Sequence, residues 1–293
     1  MVDSERRWAD RGELDAICGD RLGDAALGGL WVAGCLEGLR APAVAVVGTR
    51  APSEAGRRRA RRLAEELGRS GVCVVSGLAV GIDAAAHEGA LAAGAPTLGV
   101  LGGGHEHFFP PRNRDLAVRI VAGGGAVVSP FPPENHPVPW QFLARNGAIA
   151  ALADAVVIVE AASRSGALNT ASHAADGGIP VLAFPGDVDR PKAAGCNALI
   201  RDGATLVRDT DDVLAALPLP LARFPRAALA AAPRADDPPD VRRVVDALAD
   251  GPRDAAALAD RLELPPPELF ALLTELELAG RIIPGVDGYA LPA

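Results

Sequence analysis

Four cysteines, Cys18, Cys35, Cys73 and Cys196, are scattered over 293 residues with no C-x-x-C pair. That spacing excludes a disulfide framework and signals no zinc site. His105 and His107 form an H-x-H pair, yet no third ligand lies near them in the sequence, so no metal is expected. Positive charge is outweighed as well, by 37 acidic residues to 29 basic ones. The formal net charge is -8 and the pI about 5.2, which argues against coating nucleic acid non-specifically, though not against a local basic groove on an acidic body. Lysine occurs once, at Lys192, so every other formal cation is an arginine, whose guanidinium holds phosphate bidentately and stacks on bases. Long apolar runs are missing too. The longest, NGAIAALADAVVIVEAA, is broken by Asp154 and is too mixed to span a bilayer. The opening MVDSERRWAD is charged and has no apolar segment behind it that would make a signal peptide. With 49% apolar residues, these absences lead to the expectation of a folded, soluble, cytoplasmic protein with no membrane partner and no cofactor.

What is present is a regular alternation. Short apolar runs at 43–48, 72–77, 97–102, 126–129, 155–160, 181–186 and 205–207 read as strands, and their near-continuous apolarity predicts burial on both faces, as in a parallel sheet. Helical stretches at 53–71, 81–94 and 165–178 lie between them. Strand and helix alternating in this way predict a doubly wound α/β fold over residues 41–217. Residues 1–40 show no motif, although GGLWVAGCLEGL is a candidate edge strand. Residues 218–239 are rich in proline and alanine and read as a linker. Over 240–293, three short amphipathic helices and the segment RIIPGVDGYAL predict a small winged-helix-like domain. Its candidate recognition helix, PPELFALLTELELAG, carries three glutamates and no arginine or lysine, which weighs against DNA readout.

In an open α/β sheet, ligands sit at the carboxyl ends of strands, over helix N-termini. Four loops here end strands with residues suited to an anion: Gly48, Thr49 and Arg50; Ser76, Gly77 and Gly81 in SGLAVGIDAAAH; the run VLGGGHEHFFPPRN; and Ser163, Arg164, Ser165 and Gly166. Backbone amides beside glycines bind phosphate without any lysine, so four such loops predict a phosphate-bearing ligand. Asp83 has a structural reading as an acid in a first helical turn, and His87, one turn on, is placed to hydrogen-bond it. A catalytic reading would need a nucleophile such as Ser76, but no G-x-S-x-G elbow surrounds that serine. The arginine run GRRRARR reads as a solvated helix face. Trp140 and Phe142 are notable where aromatics make up only 4% of the chain. They precede Arg145 and Asn146, and for Phe142 core packing and base stacking beside a phosphate clamp both remain open.

Taken together, VAVVGTR, VVSGLAVGIDAAAHEGAL, FPPRN, FLARN, VVIVEAASRSGALNTA and FPGDVDRPKAAGCNALIRDGA resemble the DprA (Smf) family of DNA-processing proteins, in the family's order, over about 43–204. The resemblance implies an extended Rossmann-like core that binds single-stranded DNA and loads the RecA recombinase onto it during natural transformation, without catalytic activity. It also implies a homodimer and a C-terminal winged helix. By the same resemblance Arg50 holds the DNA backbone, Phe142 stacks on a base, and the SGLAVGID and SRSGAL loops give amides and hydroxyls to phosphate. The sequence departs from the family at Gly147, where an arginine is usual, at Glu106 and Phe109, and in the short segment before the core. Two other readings compete: a nucleotide phosphoribohydrolase of the LOG type, and a nucleotide sensor whose winged helix contacts a partner. The first would need a glutamate on the helix after SRSG, and ALNTASHA has none.

Overall fold

The computed structural model describes residues 6–23, 25, 27–217, 238–248, 251, 253–262, 264–278, 281–285 and 288–291. The chain divides into two compact units, Met1–Arg223 and Phe224–Ala293. Residues 218–237, most of the expected linker, lie outside the described residues, and Pro239 already belongs to a helix.

The first unit is built on one nine-stranded sheet. In chain order its elements are β1 (Arg6–Asp10), α1 (Arg11–Cys18), β2 (Gly29–Gly34), β3 (Ala43–Val47), α2 (Glu54–Arg69), β4 (Cys73–Ser76), α3 (Ile82–Ala92), β5 (Thr97–Val100), α4 (Arg114–Ala122), β6 (Ala126–Ser129), α5 (Pro139–Ala151), β7 (Ala155–Ile158), α6 (Ala167–Asp176), β8 (Val181–Ala183), α7 (Ala194–Arg201), β9 (Thr205–Leu206) and α8 (Thr210–Ala215). The strand order is β1-β2-β6-β5-β4-β3-β7-β8-β9. From β6 to β9 every pairing is parallel, while β1–β2 and β2–β6 are antiparallel. All seven strands expected from the apolar runs form. Every residue of β3, β4, β5, β6 and β7 is buried, because helices cover both faces of a parallel sheet.

The N-terminal segment differs from its expectation. GGLWVAG is not an edge strand: β2 lies inside the sheet, between β6 and β1, and RRWAD forms the true edge. The charged side chains of β1 hid it, since only Ala9 of its five residues is buried. Ala9, Leu14, Leu22, Leu30, Val32 and Leu39 join the main core with β3 and β7, so this segment extends the α/β unit.

α2 illustrates how the helices attach. Ser53 caps it, accepting from the Gly56 amide at 3.0 Å. Ala60, Leu63, Ala64 and Leu67 form its buried stripe at i, i+3, i+4, i+7, and the arginines face outward, paired loosely with Glu54 and Glu66. After β3 the chain moves outward through β4, β5 and β6, then returns to place β7 on the other side of β3. That reversal leaves a crevice at the carboxyl ends of β3 and β7.

The second unit has helices Pro239–Leu248, Ala255–Leu262 and Pro266–Leu278, followed by an antiparallel pair, Ile283–Gly285 with Gly288–Ala290. Its own small core includes Val244, Leu248, Leu258, Leu269 and Leu273. Glu268, Glu275 and Glu277 are exposed on the third helix. Among the described residues no helix is long and apolar enough to cross a membrane.

Candidate nucleic-acid interface

A cleft of about 370 Å³ opens at the reversal between β3 and β7. α5 supplies one wall through Phe142, Arg145, Asn146 and Ile149, at i, i+3, i+4, i+7, with Leu143 beside them. Gly48 and Arg50 after β3 form a second side, Ala79 and Asp83 a third, and Ser165, Gly166, Ala167 and Thr170 at the start of α6 a fourth. Three of the four loops singled out in the sequence therefore converge, and the glycine-rich run after β5 contributes through Phe109, which meets Phe142 edge-on at 5.8 Å. Arg50 is exposed, and its guanidinium carbon stands 5.7 Å from the centre of the Phe142 ring. Phe142 is half-buried. Its ring packs on Gly102, where a Cβ would fall 2.6 Å from the Phe142 Cδ1, while the side chain still lines the cleft.

The expected cradle of amides does not form as read. The Gly77 amide donates to Asp83 Oδ2 at 3.1 Å, and the Ala79 amide reaches the same oxygen at 3.4 Å. The Thr49 amide donates to the Glu160 carbonyl at 2.8 Å, and the Thr49 carbonyl accepts from Ile82. Ser76 is fully buried, and its hydroxyl donates to the Val46 carbonyl at 2.7 Å, tying β4 to β3. Thr49, Ser76 and Gly77 therefore lie under the cleft and hold it together; buried polar groups find partners inside the fold before any ligand arrives. Gly81 starts α3 behind the Thr49–Arg50 segment rather than lining the cleft. Ser163 and Arg164 are exposed on the loop after β7, but the lining begins only at Ser165. Ser165 Oγ accepts from the Ala167 amide at 3.3 Å.

Arg145 was missed as a structural centre. It is buried, and its Nη1 donates to the Val100 carbonyl at 2.5 Å and to the Gly77 carbonyl. Asp83 and Arg145 thus grip the Gly77 residue from its two ends, carboxylate on N–H and guanidinium on C=O. Burial pushes the Asp83 carboxyl up, opposed by Arg145, and pulls the Arg145 guanidinium down to about 10, opposed by Asp83. Asn146 donates to Asn169 Oδ1 at 3.1 Å and to the Gly166 carbonyl at 3.3 Å, linking α5 to the α6 loop. At Gly147 an added Cβ would make ordinary van der Waals contact with the His173 ring, at 3.7 Å.

The expected Asp83–His87 hydrogen bond is absent, because His87 turns inward to β5. Its Nδ1 lies 2.8 Å from Thr97 Oγ1, whose single proton goes to the Val74 carbonyl at 2.6 Å. His87 must therefore donate from Nδ1, which leaves Nε2 as an unprotonated, buried nitrogen. Burial is the main reason its pKa falls to about 3, with the Arg145 charge adding to it. An unfolded histidine titrates near 6.5, so between that pH and about 3 the unfolded chain binds the extra proton and stability falls as the pH is lowered. Going from pH 7 to pH 5 is expected to cost about 2 kcal/mol through this one group. Urea midpoints at the two pH values test this; a His87→Asn chain should show a flatter dependence, and an unchanged slope would exclude His87 as its source.

His105 and His107 do not converge on one point. His105 Nε2 is 2.9 Å from the Val127 carbonyl, whereas His107 stacks on His136 at 3.4 Å. Among the described residues no group of three or more His, Cys, Asp or Glu side chains is placed to hold a metal ion.

Comparison with known proteins gives consistent findings. Residues 23–218 match the family model described as DNA recombination-mediator protein A, and residues 228–288 match the DprA winged helix domain. Protein Smf of Escherichia coli K12 is 42% identical over 187 residues, covering 64% of this chain and 50% of that protein. The DNA processing protein DprA of Streptococcus pneumoniae R6 is 40% identical over 186 residues, covering 64% of this chain and 65% of that one. The chain spans about half the length of several curated relatives it matches. Among solved structures, DprA from S. pneumoniae matches with a TM-score of 0.68 at 36% identity, covering 73% of this chain and 75% of that one. DprA from Helicobacter pylori, described for its single-stranded DNA binding mode, matches with a TM-score of 0.64 at 25% identity, covering 73% and 96%.

Proposed function

This chain belongs to the DNA recombination-mediator protein A family, and from that premise we propose that its cleft binds single-stranded DNA and that the protein, as a homodimer, delivers the strand to the RecA recombinase during DNA uptake. The observation that carries the reading is the pairing of an exposed arginine, Arg50, with the Phe142 ring at the mouth of a cleft large enough for a nucleotide. The guanidinium takes the phosphate and the ring takes the base, a combination suited to unpaired strands because every base has a stacking face. Ser163, Arg164, Ser165 and Gly166 border the path of the backbone, and Asn146 fixes that loop to α5. Contacts of this kind read no sequence.

A binder fits better than a hydrolase. The carboxylate lining the cleft, Asp83, accepts from two backbone amides, and α6 carries no glutamate. The sensor reading shares the cleft but predicts mononucleotide binding as tight as that of a strand.

Fluorescence anisotropy over a salt series, with labelled single-stranded and duplex oligonucleotides, tests the proposal. The wild type should prefer the single strand. Arg50→Ala should lower the salt slope by about 0.7, the share of one phosphate contact on single strands. Phe142→Ala should weaken binding about tenfold with little change of slope. Equal affinity for both forms, indifferent to either substitution, would overturn it, and released base from nucleoside monophosphates would revive the hydrolase.

A further inference from the structure

Aromatic residues make up 4% of the chain, yet two aromatic pairs meet on α5: Phe109 against the cleft-lining Phe142, and Phe131 against Trp140, two residues earlier on the helix. Three of the side chains there are unusually open for their size: Trp140 is 61% exposed, Leu143 53% and Phe109 48%. The other large exposed hydrophobics among the described residues, such as Trp8, Val118, Val188 and Leu206, lie on other elements. An apolar patch concentrated beside a cleft marks a binding surface, whereas single exposed side chains do not. Trp140 and Leu143 are three residues apart on α5 and so share a face, and Leu143 lines the cleft.

The ring geometry narrows what this surface takes. Phe131 meets Trp140 at 5.7 Å with the planes at 88°, and Phe109 meets Phe142 at 5.8 Å and 68°. Each pair is braced edge-to-face rather than stacked flat, so the indole stays open to a third ring. Arg50 beside Phe142 supplies the charge that a phosphate between successive bases requires.

We infer that Trp140 is a second base-stacking station, reached from the Phe142 cleft across the exposed Leu143 side chain, so that the cleft and this outer face of α5 hold a run of unpaired bases rather than one nucleotide. This rests on the single-stranded-DNA reading of the cleft and assigns it a length. The strand enters with one base on Phe142, its phosphate on Arg50, and continues along α5 to place a further base on the indole.

The chain has three tryptophans, so a Trp8→Phe/Trp31→Phe protein reports on Trp140 alone. Oligothymidylates from the dinucleotide to the dodecamer are titrated against its emission and, by anisotropy, against wild type, Trp140→Ala, Trp140→Phe and Phe142→Ala. The expected result is quenching that appears only beyond the shortest oligomers. Trp140→Ala should weaken the long oligomers about tenfold while leaving the dinucleotide unchanged, and Trp140→Phe should recover most of the loss. If emission is unmoved and Trp140→Ala matches wild type at every length, while Phe142→Ala still weakens binding, the inference fails and the reading of the cleft stands. If the wild type fails to prefer single strands and Phe142→Ala changes nothing, both fall. If Trp140→Ala instead changes the sedimentation of the DNA-free protein and leaves oligomer affinity alone, the surface joins two copies of the chain and the inference is overturned.

Discussion

Arg145→Met is expected to lower the stability of the α/β unit by roughly 3–5 kcal/mol, the usual effect of removing one member of a buried charged network. The side chain is 4% exposed and its Nη1 donates to two carbonyls, Val100 at the end of β5 and Gly77 after β4. Methionine fills much of the volume, so the loss isolates the charge and its hydrogen bonds from packing. Both carbonyls lose their donor, and Asp83 loses the positive charge that opposes its desolvation. For a unit of this size the melting temperature should fall by roughly 10 °C. The deficit should also depend on pH in a distinctive direction. With the guanidinium gone, the folded-state pKa of Asp83 rises further above its unfolded value, so the folded protein takes up a proton more readily. Stability relative to wild type then improves as the pH is lowered through that raised pKa. A double-mutant cycle with Asp83→Asn should show strong coupling, because both side chains act on the Gly77 peptide. An Arg145→Met protein as stable as wild type, with additive Asp83→Asn behaviour, would mean that the guanidinium is a solvated group free for ligand.

Much of this was legible in the sequence. Strands β3 to β7 were readable because they are covered on both faces and so appear as uninterrupted apolar runs, as AVAVV of β3 and AVVI of β7 do. β1 was not, since an antiparallel edge strand with one wet face can be written RRWAD. The site was legible in its members and not in their roles. Arg50, Phe142, Arg145, Asn146 and Gly166 all line the cleft. Residue type and motif did not divide Arg50, exposed at the mouth, from Arg145, sealed in the floor. The division was nonetheless encoded: Phe142, Arg145, Asn146 and Ile149 share a helical face, and a face that includes Ile149 must turn toward the interior. The amides of Thr49 and Gly77 misled for another reason. A glycine-rich turn after a strand offers donors to phosphate only when the fold has not already claimed them, and here Glu160 and Asp83, distant or ambiguous in the sequence, claim both.

Gly81→Ala is expected to weaken strand binding at least as much as Arg50→Ala does while costing roughly 2–3 kcal/mol of stability. Gly81 has a φ of +97°, and a Cβ there would fall 2.5 Å from the Thr49 carbonyl oxygen and 2.9 Å from the Arg50 Cα. The atoms in the way are backbone, so no rotamer change relieves the clash. Either α3 retreats, breaking the hydrogen bond from the Ile82 amide to the Thr49 carbonyl, or the Thr49–Arg50 segment is pushed off Phe142. Both outcomes displace Arg50, which is exposed and lines the cleft. Gly166→Ala is the matched control. Gly166 lies at a helical φ of -61° with nothing within 4 Å of an added Cβ, so alanine there should leave stability unchanged or raise it by about 0.5 kcal/mol. Gly166 lines the same cleft, so any loss of affinity in this variant reports a strand backbone passing close to the α6 loop. Thermal melts and anisotropy on the two proteins separate these effects. Gly81→Ala binding as tightly as wild type would show that Arg50 does not depend on the turn behind it, and the cleft would have to hold its ligand by other means.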